Sequence, residues 1–509
     1  MKTARNSVVY TGGQIASSLV VFVALVAFAR LLRPQLFGLF TVVIAFYTLL
    51  ALVGNFAIGT AIRKKLPERR GRGGARSLII NAYAAALLLS VAVAALGALF
   101  SGYAAANIYH QPSISVPLAI ASLLVVFWTL FNVTISVLVS LDRVLETVVM
   151  DIVYSLLYLG VGVAAVMLGY GIVGALAGLA VGIVAATLVG FAYLPRWVLS
   201  GSPRPDGSEI RGIVRFSTPA FISNMALRGI ASFGVLFLAL FVGSALVGNY
   251  NAAYTVGSFV AVVITSFSYV LLPAFSDITF RRIPPSRIGS AFDRSVHLTT
   301  LFLAPIVVFL ASVAKPLISL FFSASYSHAP LYLSLIAAGS AIGLVWNYAS
   351  TLMLGSGDLR RFIRYQAAAA LVELASVLII TPLFHVVGMI VGLFLISQVA
   401  IDVMYIFALE RKFGFRPRVL APSMAALSAL AVFALLYTVS YVLGGGYATI
   451  AVNLALTLLL YPPLAAAFGG VSARELGFLT ELVGRRALAR PALYLIRYAG
   501  LFVSKAQKG

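Results

Sequence analysis

The chain has 509 residues, of which 61% are hydrophobic and 10% charged, and its mean hydropathy is +1.05. Soluble domains average about 45–50% apolar and about 25% charged residues, so this composition excludes a soluble globular protein and specifies a polytopic membrane protein. The absence of cysteine excludes disulfides, thiol chemistry and cysteine-ligated metals, and the net charge of +22 lies in short clusters between apolar runs, a pattern of loop topology and not of nucleic-acid binding.

Runs of about 20 apolar residues cross a bilayer as helices. Fourteen are predicted, at 8–32, 37–62, 77–100, 116–140, 146–169, 171–195, 217–242, 247–275, 295–322, 330–355, 365–384, 386–410, 418–443 and 447–469. The first is long enough to span and does not read as a cleavable signal. It carries Gln14 and ends on Arg30, Arg33 and Pro34, where a tight external turn leads into the second. The second ends in RKKLPERRGRGGAR, Arg63 to Arg76, with seven cations against Glu68. Topology signalling accounts for such a cluster. The functional reading is an entrance for an anionic lipid at Arg63, Lys64, Lys65, Arg69 and Arg70. Asp151, near the start of span 5, is expected to reach the interface or pair with Arg143, and Lys315 to anchor span 9 in the same way.

Span 7 carries the most informative single residue. Arg228 lies thirteen positions beyond Arg215, about 20 Å along a helix, which puts a charge inside the hydrocarbon. A guanidinium there suits a diphosphate or acidic sugar held bidentately, or else an ion pair with an intramembrane carboxylate. Glu373 in span 11 and Asp402 in span 12 lie nine residues from Arg364 and Arg411, so they sit at equal depth. Two carboxylates in low dielectric do not both ionise cheaply, which makes them a candidate site for a coupling H+ or Na+. The amides Gln14, Asn55, Asn81, Asn132, Asn224, Asn347 and Gln398 either line a hydrophilic path or bond helix to helix. Tyr47, Tyr254 and Tyr269 would stack on sugars or pack, and Pro219, Pro273 and Pro305 would kink spans 7, 8 and 9.

With the amino terminus on the cytoplasmic side, inside segments hold 32 of the 36 Lys and Arg residues, so both termini are expected there. An internal repeat supports two six-span halves. At an offset of 210, Ser7 meets Ser217, Gln14 meets Asn224 and LFGLF from Leu36 meets LVGNY from Leu246; at 214, YGIVG from Tyr170 meets FHVVG from Phe384. An even number of spans per half makes the repeats parallel. The expected organisation is therefore an N-lobe at 1–200, a C-lobe at 201–412, two peripheral spans at 413–470, and a basic amphipathic tail at 471–509.

ARLLRPQLFGLF from Ala29, with Gly59 to Arg63, STPAFISNM from Ser217, VGNYNAAYTV from Val247 and LISLFFSASYSHAPLYL from Leu317, resembles the polysaccharide-transporter flippases of the multidrug/oligosaccharidyl-lipid/polysaccharide exporter superfamily. The resemblance covers about the first 410 residues, and the chain departs from it at Asn55 and Ser323, where relatives carry Asp and Gly. It implies an all-α transporter that moves a polyprenyl-diphosphate-linked glycan to the outer leaflet by alternating access, without a resident cofactor and alongside glycan-assembly proteins. The rivals are a lipid II flippase, a multidrug exporter (disfavoured because span 1 has no carboxylate) and a membrane glycosyltransferase. GRGGARS lacks the Gly-Lys-Ser/Thr of an ATPase loop, the four histidines lack metal-ligand spacing, and the external loops carry no Asp or Glu, so no enzymatic activity is expected.

Overall fold

A computed structural model of the protein describes residues 2–69, 74–199, 205–225, 229–280, 284–418, 420–444, 446–468, 470–471 and 498. In order, its helices are α1 (Lys2–Asn55), α2 (Ile58–Arg69), α3 (Ala75–Tyr103), α4 (Ser115–Ser140), α5 (Val144–Ala165), α6 (Gly171–Ala192), α7 (Arg196–Leu199), α8 (Gly207–Asn224) and α9 (Ile230–Leu238). They continue as α10 (Ser244–Phe280), α11 (Pro285–Ser312), α12 (Ala314–Phe321), α13 (Ala329–Ser340), α14 (Leu344–Gly355), α15 (Leu359–Val391), α16 (Ser397–Phe413), α17 (Leu420–Val442) and α18 (Ala448–Ala467). Among the described residues there is no strand. The molecule is an all-α polytopic membrane protein, and the described residues of the fourteen predicted spans are mostly helical.

Among the described residues, eight helical stretches are long and apolar enough to cross a membrane, or nine if α13 and α14, bent by 46°, form one broken span. Three of the eight, Gly12–Arg69, Val144–Ala192 and Leu359–Phe413, have 58, 49 and 55 residues. A span needs about 20, so each is a pair of spans. Non-helical residues mark the reversals: Arg33 (φ 60, ψ 169), Gly169 (φ 93) with Gly171 (φ 54), and His385 (φ 53). At Arg33 the extended ψ follows from Pro34, which bars its predecessor from the α region, whereas the positive φ does not. The turn expected at Pro34 is thus a one-residue reversal.

Span 2 is not one helix: Phe56 and Ala57 take φ of 44° and 52°, and α2 begins after them with Ile58, Ile62 and Leu66 completely buried. In spans 7, 8 and 9 the helices α8, α10 and α11 run on through Pro219, Pro273 and Pro305 without a break at those residues. A lost backbone hydrogen bond in a helix can be made good by neighbouring groups, so proline alone does not fix a break.

The internal repeat is written into the backbone. Gly171 has φ 54, ψ −131, and His385, its counterpart at offset 214, has φ 53, ψ −126. Gly174 and Gly388, related by the same offset, both lie against the helix before the reversal. A Cβ on Gly174 would come 2.8 Å from Ala165 C, and one on Gly388 would come 2.4 Å from Ile380 O. The pair at offset 210 is reciprocal. A Cβ on Gly38 would lie 1.7 Å from Ser244 O, and one on Gly248 would lie 2.2 Å from Pro34 O. Since Ser244 is Pro34's counterpart at that offset, each glycine meets the backbone of the other's segment at the equivalent residue. The Phe37-Gly38 of the first hairpin is therefore a backbone-to-backbone crossing that only a residue without Cβ allows.

Contacts divide the chain into two compact units, Met1–Asn251 and Ala252–Gly509, with the boundary inside α10. The first unit is filled by Phe28, Phe37, Phe40, Ile58, Ile62 and Leu66, all fully buried. In the second, Phe275, Phe292, Tyr348 and Tyr405 form one core, and a separate cluster joins α11 to α17 and α18. There Asn453 Nδ2 donates to Ser440 Oγ at 2.8 Å and Ser312 Oγ at 3.1 Å, which ties the last two spans to α11 through a buried amide.

Candidate functional site

Among the described residues, three polar clusters that contain buried or partly buried carboxylates stand out, two in the first unit and one in the second. In the first, Gln14 on α1 donates through Nε2 to the Asp151 carboxylate on α5, and Ser17 Oγ bonds the Asp151 carbonyl at 2.9 Å. Asp151 is buried, with 8% of its surface exposed, so it does not reach the interface. Arg143 turns instead toward Glu146, at 4.0 Å, and donates to the Tyr193 carbonyl. The expectation of an Arg143–Asp151 pair fails because Asp151 faces α1, one helix face away from Arg143. Beside the cluster, Tyr47, Trp128, Tyr154 and Tyr158 pack ring against ring, with Tyr47 to Trp128 at 6.3 Å and Tyr154 to Tyr158 at 5.9 Å. Tyr47 is 7% exposed, so it belongs to this core.

The second cluster sits at the Lys/Arg-rich end of α2, α3 and α8. Glu209, in the first turn of α8, receives Arg69 Nη1 from α2, Ser77 Oγ at 2.6 Å and Asn81 Nδ2 at 2.8 Å from α3. The Asn81 Oδ1 accepts the Asp206 N–H at 2.6 Å, so both ends of this fully buried amide are committed. Lys65 donates to the Gly212 carbonyl at 3.3 Å and lies 5.2 Å from the centre of the Phe216 ring, while Phe56 stacks on Phe221 at 4.3 Å. Burial alone would raise the Glu209 carboxyl, but the Ser77, Arg69 and Asn81 hydrogen bonds and the Arg69 charge outweigh it and hold the group below its ordinary value. Of the residues assigned to an entrance, Lys64 pairs with Glu68 at 2.9 Å, Lys65 and Arg69 engage α8, and Arg63 is exposed. Arg70 lies outside the described residues. The sequence grouped these cations by charge. It gave no sign of Glu209, which lies 140 residues beyond Arg69.

The third cluster builds on the break between α13 and α14. Gly343, with φ 88, turns the chain, and the Asp402 carboxylate from α16 accepts the Trp346 N–H at 2.7 Å and the Gly343 N–H at 3.2 Å. A carboxylate there caps free N–H groups and sits at the positive end of the helix dipole. The Trp346 indole Nε1 donates to Gln398 Oε1 at 2.6 Å, and Gln398 Nε2 reaches Glu373 Oε1 at 3.3 Å. Glu373 and Asp402 thus share one network but are bridged by Trp346 and Gln398, not in direct contact. The bridge was not legible from loop distances. Among the described residues no cation lies on Asp151, Glu373 or Asp402.

Other amides fall mostly to helix bonding: Asn132 donates to the Trp128 carbonyl of its own helix, and Asn347 accepts from Ser268. Asn224 is the last residue of α8 and is half-buried. Lys315 is exposed at the start of α12. Arg228 and nearly all of the basic tail lie outside the described residues.

Paired spans with backbone reversals, a broken helix capped by a carboxylate, and an internal repeat define a polytopic all-α membrane fold. The fold matches a lipid II flippase MurJ in an inward closed conformation (TM-score 0.74, 13% identity, 91% of this chain and 98% of that one). It also matches an inward-facing multidrug resistance MATE family transporter of the MOP superfamily (TM-score 0.62, 14% identity, 78% and 94%). The chain belongs to the polysaccharide biosynthesis protein family, whose profile matches residues 3–279. It is 25% identical over 334 residues to the succinoglycan biosynthesis transport protein ExoT of Rhizobium meliloti, and the match spans 63% of either chain.

Proposed function

We propose that this protein moves a polyprenyl-diphosphate-linked oligosaccharide from the inner to the outer leaflet of the cell membrane, by alternating access, for surface polysaccharide assembly. The observation that carries the reading is membership of a polysaccharide biosynthesis family on a flippase-type fold. The Lys/Arg asymmetry puts both termini and the α2–α3–α8 end in the cytoplasm. In this reading Arg228 grips the diphosphate, with Gln14 and Asn224 facing the glycan at equivalent repeat positions. A bidentate guanidinium recognises phosphate oxygens in a fixed geometry that an ammonium lacks.

Coupling to H+ or Na+ is assigned to Glu373 and Asp402. Loading a cation at their network would weaken the hold of Asp402 on the α14 N–H groups, and so link ion occupancy to the bend between α13 and α14. The test is reconstitution into proteoliposomes with a fluorescent lipid-linked oligosaccharide. Wild type should deliver it to the opposite leaflet and Arg228→Ala should not, at equal protein level and insertion. Equal transport by Arg228→Ala removes Arg228 from the site, and no transport by wild type defeats the flippase reading.

A further inference from the structure

The Glu209 cluster is built unlike a surface ion pair. Three donors from two helices, Arg69 of α2 and Ser77 and Asn81 of α3, converge on one carboxylate that arrives from α8. Asn81 is fully buried, and its orientation is fixed by the Asp206 N–H on its other end. The guanidinium stays reachable: the Arg69 side chain is 38% exposed and that of Glu209 13%. A guanidinium, a hydroxyl and an amide N–H are the donor set that proteins bring to phosphate oxygens. Here an internal carboxylate fills it. Lys65, about one helical turn before Arg69 on α2, adds a second cation, held by the Gly212 carbonyl of the same α8 helix.

We infer that Arg69, Ser77 and Asn81 form an anion cradle for a phosphate ester, that Glu209 occupies it as a built-in substitute, and that the diphosphate of the transported lipid displaces Glu209 and frees α8 from α2 and α3. The inference rests on the flippase reading and adds to it a site of first capture and a reason for α8 to move. It also changes the role of the basic cluster, in which Arg69 acts through a shaped site and not as one of several diffuse charges. A carboxylate is a good plug because it satisfies the donors at modest strength, and a dianionic group with more acceptor oxygens outbids it.

The experiment is calorimetric titration of inorganic pyrophosphate into the full-length protein in phosphatidylcholine nanodiscs. Glu209→Gln keeps the side-chain shape and removes the competing charge, so it should bind pyrophosphate about tenfold more tightly than wild type. Adding Arg69→Gln, or Asn81→Ala, to Glu209→Gln should abolish the gain, whereas adding Arg211→Gln, an exposed cation of α8 outside the cradle, should leave it intact. No gain in Glu209→Gln, or a gain that survives Arg69→Gln, overturns the proposal. Repeating the titration with phosphatidylglycerol in the nanodisc separates the two sources of phosphate. A gain that persists belongs to the diphosphate, and a gain that phosphatidylglycerol erases assigns the cradle to headgroups and overturns its link to the transported lipid. The transport assay above is independent: binding gain without transport in wild type defeats the flippase reading and leaves the cradle standing.

Discussion

His385 is a test of whether the repeat dictates backbone strain. It sits at φ 53, ψ −126, within 5° of its counterpart Gly171 at φ 54, ψ −131. That region is open to glycine and closed to residues with a Cβ, at a cost of about 1–3 kcal/mol. His385 is exposed, so its replacement forfeits little packing. Glycine at 385 relieves the strain and gives back about 0.5–1 kcal/mol through the freer unfolded chain. His385→Gly is therefore expected to stabilise by about 0.5–2 kcal/mol, a rise of about 1–4 °C in the unfolding midpoint measured in detergent. Gly171→Ala is the mirror experiment, and should destabilise by about 1–3 kcal/mol because it forces a Cβ into the same conformation. A lower midpoint for His385→Gly, or a neutral Gly171→Ala, would refute the claim that both reversals share one strained geometry.

The Gly38–Gly248 crossing predicts that Gly38→Ala or Gly248→Ala costs about 1–3 kcal/mol each, since a Cβ at 1.7 Å from Ser244 O or 2.2 Å from Pro34 O meets backbone, which cannot rotate away. One separation of the two segments relieves both clashes, so the double variant should cost clearly less than the sum in the same melting assay; strict additivity would contradict a shared crossing. Asp402→Ala uncaps α14 and should lose about 1–2 kcal/mol, whereas Asp402→Asn, which keeps an acceptor, should lose less; thermal melts that rank them the other way would remove the capping role. Neutralising Glu373 and Asp402 together should abolish the dependence of transport on pH or Na+ in proteoliposomes, and an unchanged dependence would take the coupling away from them. Glu209, with its carboxyl held below the ordinary value, supports the α8 contact at neutral pH, and that support is lost as pH falls through the lowered value. Proteolytic accessibility of the α2–α3–α8 end should accordingly rise on acidification in wild type, and in Glu209→Gln should be high already at neutral pH.

How much was legible in advance follows from the range of the interactions concerned. The fourteen spans, their pairing and the repeat are local or periodic features: a bilayer demands about 20 apolar residues per crossing, and the repeat needs only a fixed offset. A turn near Arg33 could be read from Pro34, which ends an α stretch at its predecessor. Residue counts to the nearest loop cation proposed Glu373 and Asp402, which the structure places in one hydrogen-bonded network. Where sequence reasoning failed, the missing quantity was always a helix face or a long-range neighbour. Asp151 was expected to meet Arg143 eight positions back, but rotation about α5 turns it to Gln14 on α1, 137 residues away. Span 2 breaks at Phe56 and Ala57, not at a proline or glycine, and Ile58, Ile62 and Leu66 beyond the break are fully buried.

By itself, then, the sequence determined the solvent, the many apolar helices, the internal repeat and the family resemblance. Those follow from composition, period and order along the chain. Tertiary structure alone decided that Glu373 and Asp402 are joined through Gln398 and Trp346, that Gly38 and Gly248 face one another, and that the basic cluster after span 2 holds a carboxylate from α8. Each depends on the rotation and register of packed helices, and a uniformly apolar helix in lipid carries too weak a pattern to announce which side faces its neighbour.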